Sequence, residues 1–106
     1  MNNDVIFLEQ EGELIARIES DIDHHSAKKM RDKIDDKLFE IRPNTLTIDF
    51  SGVGFMDSSG LGLILGRVEK AGALHISVRL CGASPSIMKL IRLGGLERVK
   101  NLTVIK

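Results

Sequence analysis

An aspartate, two serines and two glycines follow an apolar run in residues 55–62, FMDSSGLG. Asp57, Ser58 and Ser59 could support three kinds of chemistry. A serine could act as a nucleophile, the loop could bind a phosphate group, or a serine could receive one. Each possibility requires different neighbours, and those neighbours can be sought in the rest of the chain.

A serine nucleophile needs a base within hydrogen-bond reach and donors for the oxyanion. The G-x-S-x-G motif of the hydrolases is absent. The candidate bases are His24, His25 and His75, and the sequence alone places none of them beside the serines. A chain of 106 residues also has few residues with which to line a substrate pocket, so we do not favour hydrolysis.

A phosphate-binding loop is poorly supported. Gly52 and Gly54 begin a G-x-G, but Asp57 stands where G-x-G-x-x-G has its third glycine. A carboxylate there would repel a pyrophosphate, and no lysine follows the glycines as it does in a P-loop. We therefore expect no nucleotide cofactor on this loop.

A second polar cluster, DIDHH at residues 21–25, raises the question of a metal site. Adjacent histidines on a helix point about 100° apart, so His24 and His25 do not chelate one ion as an i, i+4 pair would. We expect Asp23 to be a helix N-cap, followed by two exposed histidines, with no metal bound.

The third chemistry is phosphorylation at the start of a helix. The N-terminal N–H groups and the helix dipole stabilise a phosphate there, so the added charge would not unfold the domain. Gly60 and Gly62 should keep the surface low for a partner. A serine at this position is more commonly an N-cap. These residues alone leave both roles open for Ser58 and Ser59.

The elements that must position these residues read as an α/β fold. Apolar alternation predicts strands, and apolar spacings of three and four predict helices, in the order β-β-α-β-α-β-α-β. This order predicts one domain over residues 1–106 with a mostly parallel mixed sheet, an N-terminal hairpin and about three packed helices. The predicted strands are 5–10, 13–19, 45–50, 75–81 and, with unclear register, 97–105; the predicted helices are 24–41, 58–72 and one that begins at Pro85 after the N-cap Ser84 and stops at Gly94-Gly95.

Composition narrows the class of partner. Fifteen basic and fifteen acidic residues give zero net charge, and there is no Trp or Tyr, so we expect no nucleic-acid or membrane partner. The single cysteine, Cys81, excludes a disulfide within the chain and is consistent with a reducing cytoplasm. We find no signal peptide and no apolar run long enough to span a membrane.

Three stretches in the right order resemble one family. FMDSSGLGLILGR, DIDHHSA and LCGASPSIMKLIRLGGLERV are similar to motifs of the anti-sigma factor antagonists, the bacterial branch of the STAS domain family. The similarity covers nearly the whole chain and is greatest to the sporulation branch that controls sigma-F. The Asp-Ser-Ser-Gly-Leu-Gly run is the most specific part of it.

The resemblance implies a partner switch. In this family the serine directly after the aspartate, here Ser58, is phosphorylated by a partner that is both serine kinase and anti-sigma factor. The unphosphorylated domain binds that kinase and displaces its sigma factor, and a PP2C-type phosphatase resets the switch. ATP belongs to the kinase, so the resemblance implies no cofactor and no enzyme activity for this chain. The partner-binding residues it implies are Asp57, Ser59, Gly60 and Leu61, with Asp23, His24 and His25 at the start of the first helix.

One departure and one alternative accompany this interpretation. The family often has Gly-Glu where this chain has Ser20-Asp21, which removes a permissive glycine beside the first helix. The alternative function is a non-switching STAS scaffold in a transporter or signalling complex, in which Ser58 is structural. The intact Asp-Ser-Ser motif favours the switch.

Overall fold

The computed structural model describes residues 4–106. It contains five strands, three α-helices and one short 3-10 helix in the predicted order. They are β1 Val5–Gln10, β2 Glu13–Ile18, α1 His24–Ile41, β3 Thr45–Asp49, α2 Ser59–Ala73, β4 Ser77–Cys81, α3 Pro85–Leu93, the 3-10 helix Leu96–Arg98 and β5 Leu102–Val104.

The five strands form one mixed sheet in the order β1-β2-β3-β4-β5. β1 and β2 pair antiparallel, and all later neighbours pair parallel, as the sequence predicted. The hairpin turns at Glu11-Gly12, where Gly12 has a φ of 79° that glycine adopts without strain. Each parallel crossover steps in the same direction, and right-handed crossovers of this kind place their helices on one face.

The core lies between the sheet and its helices. Leu14, Ala16 and Ile18 of β2 are fully buried on the helix side, as their alternation predicted. From α1, the residues Met30, Ile34 and Leu38 of the predicted stripe are fully buried. Its two end members, Ala27 and Ile41, are only half-buried.

The opposite face of the sheet carries no helix. Ile6 and Leu8 are exposed there, and Arg17 and Arg79 accompany them. The domain therefore has two layers, and the predicted α/β architecture is confirmed. Within residues 4–106 none of the helices is both long and apolar enough to cross a membrane.

The predicted boundaries were wrong where tight turns interrupt a strand. The fourth strand begins at Ser77 and not at residue 75, because His75 has a left-handed φ of 61°. The segment 97–105 is not one strand. Gly95, at φ 75°, leads into the 3-10 helix, and β5 follows only after Asn101, at φ 71°. The Asn101 side chain donates to the Ile76 carbonyl at 2.8 Å and so fixes this second turn.

Candidate functional site

The site lies where the loops after β2 and β3 meet, at the carboxyl ends of two parallel strands. Ile22 N–H donates to the Phe55 carbonyl at 2.9 Å, and Asp57 N–H donates to the Ile22 carbonyl at 3.0 Å. These two bonds form an isolated parallel bridge between Ile22 and Met56, whose side chains are both buried. The DIDHH and FMDSS stretches, far apart in the chain, are therefore held side by side.

A carboxylate fastens the same two loops. Asp21 Oδ1 accepts the N–H of Gly54 at 3.2 Å and that of Phe55 at 3.0 Å. Sequence reasoning noted Asp21 only in a rejected metal cluster and as a departure from the family, and did not select it for the site. The signal available was an acidic residue at the end of one strand beside a glycine-rich loop at the end of the next.

The start of α2 is capped by Asp57. Asp57 Oδ1 accepts the Ser59 N–H at 2.8 Å, and the Asp57 carbonyl accepts the Gly60 N–H at 3.0 Å. Ser58 occupies the N-cap position with helical dihedral angles, φ −62° and ψ −17°, and its side chain makes no cap hydrogen bond. The Ser58 side chain is exposed. Of the two roles that the sequence left open, the capping role belongs to the neighbouring aspartate.

The start of α1 is a capping box. Asp23 Oδ1 accepts the N–H groups of His25 at 2.9 Å and Ser26 at 2.8 Å, while Ser26 Oγ accepts the Asp23 N–H at 3.0 Å. The Ser26 hydroxyl donates to the Asp21 carbonyl at 2.9 Å. The hydrogen bond from the Ser26 backbone is the main cause that lowers the pKa of Asp23 below 3.8. The predicted N-cap is confirmed.

His24 and His25 are both exposed on the first turn of α1. In the part of the chain that the structure describes, no three side chains of His, Cys, Asp or Glu are grouped as metal ligands would be. His24 faces α2, whereas His25 does not line the same surface.

A groove runs between α1 and α2 from this site. Its volume is about 400 Å³, and no carboxylate lines it. We call it the α1–α2 groove; its lining residues are His24, Ala27, Lys28, Arg31, Ser59, Gly62, Leu63, Gly66 and Arg67. The structure thus brings the predicted residues His24 and Ser59 to one surface.

The remaining predicted residues lie along the first turn of α2. Leu61 is half-buried and its methyl groups lie close to Gly94, just after α3. Gly60 is buried, and a Cβ there would lie 2.3 Å from Met56 Sδ. The expectation that Gly60 keeps the surface low was wrong, because the Met56 side chain fills that space. Gly62 is exposed, and a Cβ there would have nothing within 4 Å.

Phe55 is the residue of this loop that sequence reasoning quoted but did not select. Its backbone is held on both sides, by Asp21 at the N–H and by Ile22 at the carbonyl. Its side chain is nevertheless 55% exposed. An exposed aromatic ring on a fixed backbone suits contact with another protein, since little ordering is needed on binding.

The comparisons with known proteins agree on one family. The STAS domain model matches residues 5–104. A curated relative, the anti-sigma F factor antagonist of Lysinibacillus sphaericus, is 34% identical over 83 residues, which cover 78% of this chain and 71% of that protein.

Two solved structures are similar in fold. The anti-sigma factor antagonist SpoIIAA in its unphosphorylated form has a TM-score of 0.79 at 27% identity, over 96% of this chain and 88% of that one. The Bacillus cell fate determinant SpoIIAA in its phosphorylated form has a TM-score of 0.71 at 27% identity, over 96% and 91%. That protein thus keeps a fold like this one in both forms.

The two glycines of the α2 start should respond oppositely to alanine. Gly60→Ala forces Met56 out of its place in the core and should lower the free energy of unfolding by about 1–3 kcal/mol. Gly62→Ala meets no neighbour and should raise it by about 1 kcal/mol, because alanine favours the helix. Urea unfolding of both variants measures the two changes in the free energy of unfolding. An equal effect of the two substitutions would contradict the packing of Met56 against Gly60.

The capping box predicts a pH-dependent stability. Because the folded-state pKa of Asp23 is lowered, its contribution is present above 3.8 and is lost as the pH falls through the folded-state pKa. Asp23→Ala should therefore lower the Tm at pH 7 by a few degrees, and the difference from wild type should narrow on acidification below pH 3.8 as the charge-dependent part of the cap is lost.

Asp23→Asn is the matched control for this measurement. The amide oxygen can accept the same backbone hydrogen bonds without a charge, so its Tm at pH 7 should lie between those of Asp23→Ala and the wild type, and its difference from Asp23→Ala should not narrow in acid as that of the wild type does. Thermal melts followed by circular dichroism would reject the capping role if the alanine variant were as stable as wild type at pH 7, or if the difference widened in acid.

Proposed function

The chain belongs to the STAS domain family, and we propose that it is an anti-sigma factor antagonist switched by phosphorylation of Ser58. Unphosphorylated, it binds an anti-sigma factor that is also a serine kinase and so releases the sigma factor. Phosphorylated, it no longer binds, and a PP2C-type phosphatase restores it. The chain acts in the cytoplasm by binding and catalyses no reaction, and no nucleic acid or membrane takes part.

The observation that carries this proposal is the exposed Ser58 side chain at the start of α2. A kinase needs a hydroxyl that it can reach and that is not engaged elsewhere. The Asp57 carboxylate, and not the Ser58 hydroxyl, accepts the Ser59 N–H, so the Ser58 side chain makes no cap hydrogen bond. Phosphorylation of Ser58 therefore costs the helix no hydrogen bond. The similarity to a protein solved in phosphorylated and unphosphorylated forms supports this proposal.

The physical effect of the phosphate is confined to the surface. A phosphoserine adds nearly two negative charges, which the positive end of the α2 dipole stabilises locally, although the N–H groups of Ser59, Gly60 and Leu61 already have acceptors. No acidic residue stands in the first turn of α2, but Asp57 directly precedes Ser58, so the phosphate would add its charge beside an existing carboxylate. The fold is kept, while the docking surface becomes more negative. A partner that fits the neutral serine then meets a concentrated negative charge.

The docking surface consists of the two helix starts and the loop between them. Ser59, Gly60 and Leu61 continue the α2 side of it. The α1 side is formed by Asp23, His24 and His25. The Ile22–Met56 bridge holds this side against the loop that leads from β3 to Ser58. Phe55 adds the exposed apolar ring that anchors the partner beside Ser58.

The phosphorylation site can be located directly. Incubation with the anti-sigma factor kinase of the same organism and ATP should place a single phosphate on Ser58, identified by peptide mass spectrometry. Ser59→Ala should be phosphorylated like the wild type, because Ser59 contributes only its backbone N–H to the helix start, whereas Ser58→Ala should remain unmodified. A phosphate on Ser59, or none with an active kinase, would overturn the proposal.

A further inference from the structure

The α1–α2 groove contains a buried cation with unused hydrogen-bonding capacity. The Arg67 side chain is 3% exposed, yet its Nε and Nη1 have no hydrogen-bond partner among residues 4–106. Asp35 Oδ1 lies 2.7 Å from Arg67 Nε but out of line with the N–H bond, so the contact is an ion pair without a hydrogen bond. Nε and Nη1 are shielded from the surface, so Arg67 contributes its positive charge beneath the groove and does not offer these two donors to a ligand directly.

The groove has an excess of positive charge. Three cations, Lys28, Arg31 and Arg67, line it. Arg31 Nε lies 3.1 Å from Asp32 Oδ1, and Arg67 is paired with Asp35, but neither carboxylate lines the groove. Lys28 has no ion pair within the described part of the chain. His24 at the mouth adds a further donor.

We propose that the α1–α2 groove receives an acidic side chain of the anti-sigma factor when that protein docks on the Ser58 surface. This inference rests on the proposed function and adds the chemistry of the contact. The carboxylate would lie among the positive charges of Lys28, Arg31 and Arg67. Hydrogen bonds between charged groups are stronger than those between neutral ones.

Three features of the groove favour a protein segment over a small phosphate ligand or a nucleotide. Ser59 lines the groove, so a partner seated on Ser58 also covers its mouth. Gly62 and Gly66 form part of the wall with nothing within 4 Å of where a Cβ would be, which lets a partner's main chain approach α2 closely. No aromatic residue lines the groove, so a nucleotide base would have no ring on which to stack.

The groove also gives the phosphate on Ser58 a second way to act. A phosphate on Ser58 would lie beside Ser59, which lines the groove. Its charge would repel the partner's carboxylate there as well as the partner surface at the loop.

Two neighbouring lysines supply a matched test. Lys28 lines the groove and Lys29 does not, although both are exposed on α1 and neither has a described partner. Binding of each unphosphorylated variant to the anti-sigma factor is measured by calorimetry at low and high salt. Lys28→Glu should weaken binding roughly tenfold at low ionic strength, with the loss shrinking as salt is added, because a charge contact at a rim is screened. Lys29→Glu should lose clearly less affinity than Lys28→Glu at low salt, and at high salt, where charges outside the contact are screened, it should stay within about twofold of wild type.

The outcomes separate this inference from the function on which it rests. If the wild-type chain binds but the two lysine variants lose affinity equally, or Lys28→Glu loses none, the groove does not receive a carboxylate and the switch still stands. If the wild-type chain does not bind the anti-sigma factor at all, both are overturned. Lys28→Gln, which removes the charge without reversing it, should give an intermediate loss, and melts of all variants should match the wild type.

Discussion

The site depends on one tertiary contact, the parallel bridge between Ile22 and Met56 that joins the loops after β2 and β3. Two backbone hydrogen bonds hold these loops together, and the Asp21 carboxylate accepts two more from backbone N–H groups. Because Met56 is buried beneath Gly60, the bridge also sets where α2 begins. The α1 capping box is tied to the same place through the Ser26 hydroxyl and the Asp21 carbonyl. The bridge therefore holds the two helix starts side by side, in addition to the direct packing of α1 on α2.

With the loops fixed, the division of labour between Asp57 and Ser58 follows. The aspartate performs the capping that a serine could perform, and the serine hydroxyl is left at the surface. A helix N-terminus is a favourable place for an anion, so the same geometry that exposes the hydroxyl also tolerates its phosphate. The proposed phosphorylation would therefore add charge without a change of fold, and its effect would fall on the proposed docking surface. The positive groove beside it extends that surface along α1 and α2.

Most of the fold could be predicted from the sequence, because it rests on local patterns. Alternation in β2, the apolar stripe of α1 and the Ser84-Pro85 helix start each depend on neighbours in the chain. The errors came from turns set by distant contacts, such as the Asn101 side chain that binds the Ile76 carbonyl and shapes the start of β5. No local pattern reports such a partner.

The candidate site was predictable in its residues but not in its geometry. Family resemblance singled out Ser58, and spacing placed it at a helix start. Whether Asp57 or Ser58 caps that helix, and whether Gly60 is open or filled by Met56, depends on side-chain packing that the sequence does not display. Asp21 was missed for the same reason, since its partners Gly54 and Phe55 lie more than thirty residues away. Arg67 ends the FMDSSGLGLILGR stretch, but its burial beside Asp35 depends on the packing of α2 against α1, which the sequence does not display.

The central claim is that charge at Ser58, and not a change of fold, controls binding. Calorimetric titration of the anti-sigma factor with wild type, Ser58→Ala and Ser58→Asp tests it most directly, with thermal melts of each protein alongside. Wild type and Ser58→Ala should bind with similar affinity, and Ser58→Asp should bind at least about tenfold more weakly, which is a loss of about 1.4 kcal/mol in binding free energy. All three proteins should have the same melting temperature. Equal affinity of all three proteins, or a loss in Ser58→Asp that accompanies unfolding, would contradict it.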